Sequence, residues 1–123
     1  MKQHSPHFLT RVAAAKKRIK EITPLLLNDK LDHNEALHLI DVREDHEWTS
    51  GHIPTAIHLS KGIIERDIEK AIPDQHAQII VYCSGGFRSA LVADSLFNMG
   101  YTHVYSLDTG MQGWIDAGYN IKE

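Results

Sequence analysis

The sequence contains a single cysteine, Cys83, among its 123 residues. One thiol excludes an intramolecular disulfide and a zinc site built from several thiolates. It also excludes a resolving cysteine within the chain, so a covalent intermediate on Cys83 must be discharged by another molecule. The sequence shows neither a secretory leader nor an apolar run long enough to cross a bilayer. These absences lead us to expect a cytoplasmic protein without a membrane partner.

An excess of one sign of charge is also lacking. The formal net charge is -3, which gives no general case for a nucleic-acid partner. The charge is uneven, however, with a net of +5 over residues 1–23 and -8 over the rest. Two interpretations of the basic segment stay open: a solvated helix face, which we favour, and a docking surface for an anionic partner. Its basic residues are Lys2, Arg11, Lys16, Lys17, Arg18 and Lys20.

The N-terminal segment has the pattern of an amphipathic helix. Ser5 and Pro6 suit the first positions of a helix. Apolar residues then recur at spacings of four and three from Phe8 to Ile22, which places them on one face. We therefore predict a helix within residues 1–22 that packs on a single domain of residues 23–123.

Strands and helices alternate in the remainder of the chain. Thr23 and Pro24 begin a short helix over residues 25–28, which a polar loop follows. This order predicts an α/β fold with a central parallel sheet of about five strands, covered by helices on both faces. The strand candidates are residues 37–42, 56–59, 78–82 and 103–107, with helices over about 62–71, from residue 90 toward Gly100, and near residues 114–117.

Cys83 lies between a buried strand and a helix. Gly85 and Gly86 follow the cysteine and allow the backbone to curl so that successive N–H groups point inward. Arg88 adds a positive charge, and the N-terminus of the next helix adds a partial one. This surrounding favours negative charge on the sulfur or on a bound ligand.

Other polar residues follow the ends of neighbouring strands. In a parallel sheet, ligands bind outside the carboxyl ends of the strands. The topology therefore predicts that Asp41, Arg43 and residues 60–66 lie near Cys83. We expect Asp41 and Arg43 to support the site as a buried ion pair, and we consider Lys61 and Arg66 as possible guides for an anionic donor.

Four motifs in order resemble those of single-domain rhodanese-type sulfurtransferases. Each motif is weak alone, but their order and spacing are specific. One departure is Thr109, which stands before Gly110 where the family usually has paired glycines, so we expect a slightly altered turn. The motifs are residues 39–43, residues 51–57, residues 81–89, and a C-terminal pattern of Gly100-Tyr101, residues 104–107, residues 110–114 and Gly118.

This resemblance implies a sulfurtransferase. Cys83 would take a sulfane sulfur from a small donor such as thiosulfate, hold it as a persulfide and pass it to cyanide or a thiol. Neither a metal nor an organic cofactor is implied, and the nine histidines stand at no recognised ligand spacing. The loop that would hold the persulfide comprises Ser84, Gly85, Gly86, Phe87, Arg88 and Ser89.

Two alternatives remain. The domain could instead relay a persulfide between protein partners or bind a partner, with little turnover of small molecules. A phosphatase or arsenate reductase of the same fold is less favoured. The loop from Cys83 to Arg88 has six residues, which resembles the sulfurtransferases, whereas the related phosphatases use one residue more.

Overall fold

The computed structural model describes residues 3–123. Lys2, one of the basic residues of the N-terminal segment, lies outside the described residues. Within the described range, every helix falls short of the length and hydropathy that crossing a membrane requires. The elements of this range, in chain order, are α1 (Pro6–Lys16), β1 (Lys20–Ile22), α2 (Pro24–Asp32), β2 (His38–Asp41), α3 (Asp45–Thr49), β3 (Ile57–His58), α4 (Lys61–Ala71), β4 (Ile79–Tyr82), α5 (Phe87–Asn98), β5 (Val104–Leu107) and α6 (Gly110–Asp116).

The five strands form one parallel sheet in the order β1-β5-β4-β2-β3. Helices cover both of its faces, which confirms the predicted α/β architecture. β4 is central and fully buried, as expected for a strand covered on both sides. Because all strands run in one direction, their carboxyl ends meet at one edge, and Cys83 follows β4 at that edge.

The predicted N-terminal helix is shorter than the sequence suggests. α1 ends at Lys16, and Lys20–Ile22 forms β1 beside β5 instead. Ile22 is buried and lies opposite Leu107 in the register. Its apolar side chain fits the helical spacing by coincidence, since sheet pairing decided its backbone conformation. The division of the chain at residue 22 stays a prediction.

Two further helical segments differ from expectation. α2 extends to Asp32, although we predicted a loop after residue 28. Leu27 is buried and Leu31 packs on the same core cluster, so one apolar face continues through the polar sequence. α3 was not predicted, and a capping box between Glu44 and Glu47 begins it.

Successive side chains of β4 alternate between two cores. Ile79, Val81 and Cys83 belong to the core shared with α4 and α5. Ile80 and Tyr82 belong to the opposite core, which also holds Leu27 of α2 and Trp114 of α6. This period of two places Cys83 on the face of the sheet that α5 covers.

α1 packs against α5 on that same face. Val12 and Ala15 are the buried residues of α1. Just after the helix, Arg18 donates through Nε and Nη2 to the carboxylate of Asp94, at 2.8 and 2.7 Å. This hydrogen-bonded guanidinium lowers the pKa of Asp94. The ion pair fixes the end of α1 to α5 and thereby orients the start of α1 along the sheet edge that carries Cys83.

Thr109 and Gly113 form a matched pair at the start of α6. Thr109 is the N-cap residue, and a Cβ at Gly113 would overlap the Thr109 side chain. We expect Gly113→Ala to destabilise the protein by about 2 kcal/mol through overpacking. In a Thr109→Gly background the same change should stabilise it by up to about 1 kcal/mol, because alanine favours helix over glycine.

Urea denaturation of the four proteins in this cycle measures both effects. The same cost for Gly113→Ala in both backgrounds would contradict the pairing, since removal of the threonine side chain would then have freed no space.

Candidate functional site

Cys83 lies directly after β4 and is only 1% exposed. Its Sγ accepts hydrogen bonds from two backbone N–H groups, those of Gly86 at 3.2 Å and Ser89 at 3.3 Å. Ser89 lies in the first turn of α5, so the positive end of this helix also faces the sulfur. The arrangement stabilises negative charge at Sγ.

A pair of buried hydroxyls continues the polar contacts of the sulfur. The Oγ of Ser89 lies 3.4 Å from Sγ and 2.8 Å from the Oγ of Ser106 on β5. Both serines are buried. When the sulfur is a thiolate, the Ser89 hydroxyl can donate to it while accepting from Ser106. The pair therefore supplies a third hydrogen bond that can reverse its direction with the charge of the sulfur.

The backbone around Cys83 depends on two glycines and on α6. Gly86 has φ +91°, and a Cβ there would overlap the carbonyl oxygen of Asp108. A Cβ at Gly110 would lie 2.6 Å from the carbonyl oxygen of Cys83. The N–H groups of Met111 and Gln112 donate to the carbonyls of Cys83 and Ser84, at 2.8 and 3.0 Å. α6 thus binds the carbonyl side of the loop, while N–H groups of the loop face the sulfur.

Arg88 forms a two-bond ion pair with Glu47 of α3. The guanidinium Nη1 and Nη2 lie 2.7 and 3.0 Å from the two carboxylate oxygens. The hydrogen bonds from Arg88 lower the pKa of Glu47 to about 2, and the N–H of Glu44 assists. The pair joins the cysteine loop to α3, and little net charge remains at the guanidinium because the carboxylate neutralises it.

A cavity of about 700 Å³ opens over Cys83. Four of its lining residues belong to the loop predicted from the sequence, in addition to Cys83 itself. Three others, His4, Phe8 and Gln112, come from the N-terminal segment and α6. The lining comprises His4, Phe8, Cys83, Ser84, Gly85, Phe87, Arg88 and Gln112.

Sequence reasoning missed these three residues and Glu47. Phe8 belongs to the predicted apolar stripe, which indicates burial but not against what. His4 precedes α1, and its ring contacts that of Phe8 with 5.2 Å between centroids, a contact that no spacing in the sequence indicates. The capping-box spacing of Glu44 and Glu47 is a local signal for α3, but it carries no information about Arg88, which lies 41 positions away from Glu47.

The ion pair of Asp41 and Arg43 lies on the other face of the sheet. Asp41 accepts from the backbone N–H, Nε and Nη2 of Arg43, at 2.8 to 3.1 Å. Arg43 also donates to the carbonyl of Gly51 at 2.6 Å. Asp41 lies beside Tyr82 in the register, and the side chains of Tyr82 and Cys83 point to opposite faces. The structure therefore separates this buried pair from the sulfur.

Lys61 and Arg66 also lie away from the Cys83 cavity. Lys61 lines a separate cleft of about 240 Å³ together with Arg11. Arg66 pairs with Asp67, with 2.7 Å between Nε and Oδ1, on an exposed part of α4. The lining of the Cys83 cavity includes no residue of the range 60–66, so the common sheet edge does not bring these cations to the sulfur.

Comparison with known proteins agrees with this geometry. The family model described as "Rhodanese-like domain" matches residues 23–117. YtwF of Bacillus subtilis (strain 168), provisionally named a sulfurtransferase, is 38% identical over 96 residues, which span 78% of this chain and 90% of YtwF. The thiosulfate sulfurtransferase GlpE of Coxiella burnetii is 33% identical over 97 residues, which span 72% of this chain and 89% of GlpE.

One solved structure matches almost the whole chain. RPA3614 of Rhodopseudomonas palustris is a protein of unknown function for which tyrosine phosphatase activity has been suggested. It superposes with a TM-score of 0.86 at 24% identity and covers 99% of both chains. At this identity the likeness is one of fold.

The ion pair of Glu47 and Arg88 generates a pH prediction. The pKa of Glu47 falls from an ordinary 4.5 to about 2 on folding. A lowered pKa means that the stabilisation is complete above pH 4.5 and is lost as the pH falls toward 2. Glu47→Gln should therefore destabilise the protein at pH 6, and the deficit relative to wild type should shrink steadily between pH 4.5 and 2.5.

Urea denaturation at several pH values measures this deficit. Glu65→Gln, at an exposed position of α4, is the matched control for the loss of one carboxylate. A deficit for Glu47→Gln that stays constant across this pH range would show that the stabilisation does not come from the ionised carboxylate.

Proposed function

Because the chain belongs to the rhodanese-like domain family of sulfurtransferases, we propose that Cys83 carries a sulfane sulfur as a persulfide. The observation that supports this most directly is the pair of N–H groups, of Gly86 and Ser89, that point at Sγ. A thiolate needs such donors, and a terminal persulfide sulfur bears the same charge. The donor is thiosulfate or a similar small compound, and the acceptor is cyanide or a thiol.

In the first half of the reaction, the Cys83 thiolate attacks the outer sulfur of thiosulfate. A new S–S bond forms at Sγ, the S–S bond of the donor breaks, and sulfite leaves with the electron pair. The amides of residues 84–89 and the N-terminus of α5 stabilise the anionic terminal sulfur. Arg88 borders the cavity and orients the oxyanion of the donor through N–H groups that do not bond to Glu47. Glu47 fixes the position of the guanidinium.

In the second half, the acceptor attacks the terminal sulfur and the electron pair returns to Sγ. The sequence contains no other cysteine, so the acceptor is a separate molecule. The cycle is a double displacement in which the first product leaves before the second substrate reacts. Asp41 and Arg43 support the fold of the strand ends, and Lys61 and Arg66 act at most on the approach of anions to the protein.

The two alternatives have less support. Transfer between protein partners requires a docking surface, and two basic residues of the N-terminal segment already pair within the chain: Lys16 with Glu21 at 3.5 Å and Arg18 with Asp94. Phosphatase or arsenate reductase activity requires a longer loop around the bound group, and the six residues from Cys83 to Arg88 favour sulfur. Hydrolysis of an aryl phosphate by the wild type would reverse this preference.

Intact-mass spectrometry after exposure to thiosulfate tests the persulfide. The wild type should gain the mass of one sulfur atom, and cyanide should remove it with release of thiocyanate. Cys83→Ser and wild type alkylated at Cys83 are the controls, and neither should gain mass. A wild type that gains no sulfur and turns over no thiosulfate would overturn the proposed function.

Ser89→Ala tests the hydroxyl contact separately from the thiol. The change keeps the backbone N–H of Ser89 but removes one hydrogen bond to a charged sulfur, so kcat/KM for thiosulfate should fall by about 10- to 100-fold. Ser95→Ala, on the same helix but outside the Cys83 cavity, should leave the rate within about twofold, as surface changes usually do. Equal rates for wild type and Ser89→Ala would remove the hydroxyl from the mechanism.

A further inference from the structure

The cavity over Cys83 is much larger than thiosulfate. Thiosulfate has five heavy atoms, which occupy on the order of 150 Å³ if each takes the volume of a water molecule. The cavity measures about 700 Å³, within the range of sites that bind small organic molecules. A substrate that fills this space carries an organic group in addition to its reacting sulfur.

One wall of the cavity is aromatic, formed by Phe87 of the sulfur loop and by two residues of the N-terminal segment. The ring of His4 lies 4.5 Å from the ring of Phe87 and 5.2 Å from that of Phe8, between centroids. The two phenylalanine rings are 6.4 Å apart. Tilted contacts at these distances are favourable for aromatic pairs. All three residues line the cavity and are only partly buried, so ring surface remains available to a ligand.

Two of these three rings come from outside the domain that defines the family. His4 and Phe8 precede residue 23, where the match to the family model begins. The ion pair of Arg18 with Asp94 and the burial of Val12 and Ala15 hold α1 on α5. The N-terminal segment therefore supplies part of the cavity wall, in addition to its packing on α5.

The charges near this wall favour an uncharged organic group. Arg88 of the sulfur loop is a charged lining residue of the cavity, and Glu47 offsets its charge through two hydrogen bonds. Lys16 lies with its Nζ 5.5 Å from the centroid of Phe87 and 3.5 Å from Glu21. The aromatic surface is thus bordered by paired charges, which suits the burial of apolar area more than the binding of a second anion.

We propose that His4, Phe8 and Phe87 form a specificity-determining aromatic wall for the acceptor, and that the preferred acceptor is a small organic thiol with an aromatic or bulky apolar group. This inference rests on the proposed persulfide chemistry. The thiol loses its proton to solvent, and its sulfur attacks the terminal sulfur of the Cys83 persulfide. The bond between that sulfur and Sγ breaks, its electron pair regenerates the Cys83 thiolate, and the acceptor leaves as an organic persulfide.

The test uses protein already loaded with sulfur from thiosulfate. Its discharge is followed by mass spectrometry with ethanethiol, 2-phenylethanethiol or cyanide as acceptor. The two alkanethiols differ by a phenyl ring remote from the sulfur. The wild type should react with 2-phenylethanethiol at least about tenfold faster than with ethanethiol at limiting concentration, since one aromatic contact with its buried area supplies roughly that factor.

Phe8→Ala should reduce the ratio of the 2-phenylethanethiol rate to the ethanethiol rate to about twofold or less, because the variant removes ring contact from the wall; the ratio is compared within each variant, so a general change in rate does not affect it. Leu9→Ala, at the adjacent and 41% exposed position of α1, is the control and should keep the wild-type preference. Phe8→Leu preserves apolar packing of α1 on the domain and should still lose most of the preference.

Three outcomes distinguish the hypotheses. If ethanethiol and 2-phenylethanethiol discharge the wild-type persulfide at equal rates, the proposed aromatic wall is wrong, but the proposed persulfide chemistry still stands. Equal slowing of all three acceptors by Phe8→Leu would show that Phe8 has a structural role only. A wild type that never gains sulfur from thiosulfate would instead refute the proposed function on which this inference rests.

Discussion

The structure of the site depends on the hydrogen bonds from the N–H groups of Gly86 and Ser89 to the sulfur of Cys83. These two bonds require the backbone to reverse within three residues after a buried strand. The left-handed conformation of Gly86 permits the reversal. Glycine is required at this position also because a side chain there would meet the carbonyl of Asp108. A change in this loop would therefore affect both the fold at the sheet edge and the charge on the sulfur.

Two neighbouring elements hold the loop from opposite sides. The first turn of α6 binds the carbonyls of Cys83 and Ser84 through backbone N–H groups. α3 binds Arg88 through Glu47. The hydrogen bonds of the sulfur go to Gly86 and Ser89, yet α3 and α6 each remove conformational freedom from the loop, so that less entropy is lost when a charged intermediate forms. The N-terminal segment adds aromatic surface over the opening, and the chemistry and its selectivity thus come from different parts of the chain.

The sequence predicted those parts of the fold whose patterns are local. Four strands were recognised because their apolar runs are bounded by glycine, proline or charged residues, and the parallel sheet followed from their alternation with helices. β1 was missed because three residues at the edge of a sheet carry too little pattern. α2 was predicted too short because its polar second half retains only Leu31 as an apolar contact. α3 was missed because five residues hold too few periods to indicate a helix.

The sequence by itself determined the nucleophile and its loop, since the single cysteine, its two glycines and Arg88 lie within six consecutive positions. Only the tertiary structure decided what surrounds them. Glu47 meets Arg88, and His4 and Phe8 meet Phe87, across separations that no local pattern records. It also decided that Asp41 and Arg43 lie on the far face of the sheet, because side-chain direction in a strand alternates with every residue. Nearness to the same sheet edge does not determine which face a side chain occupies.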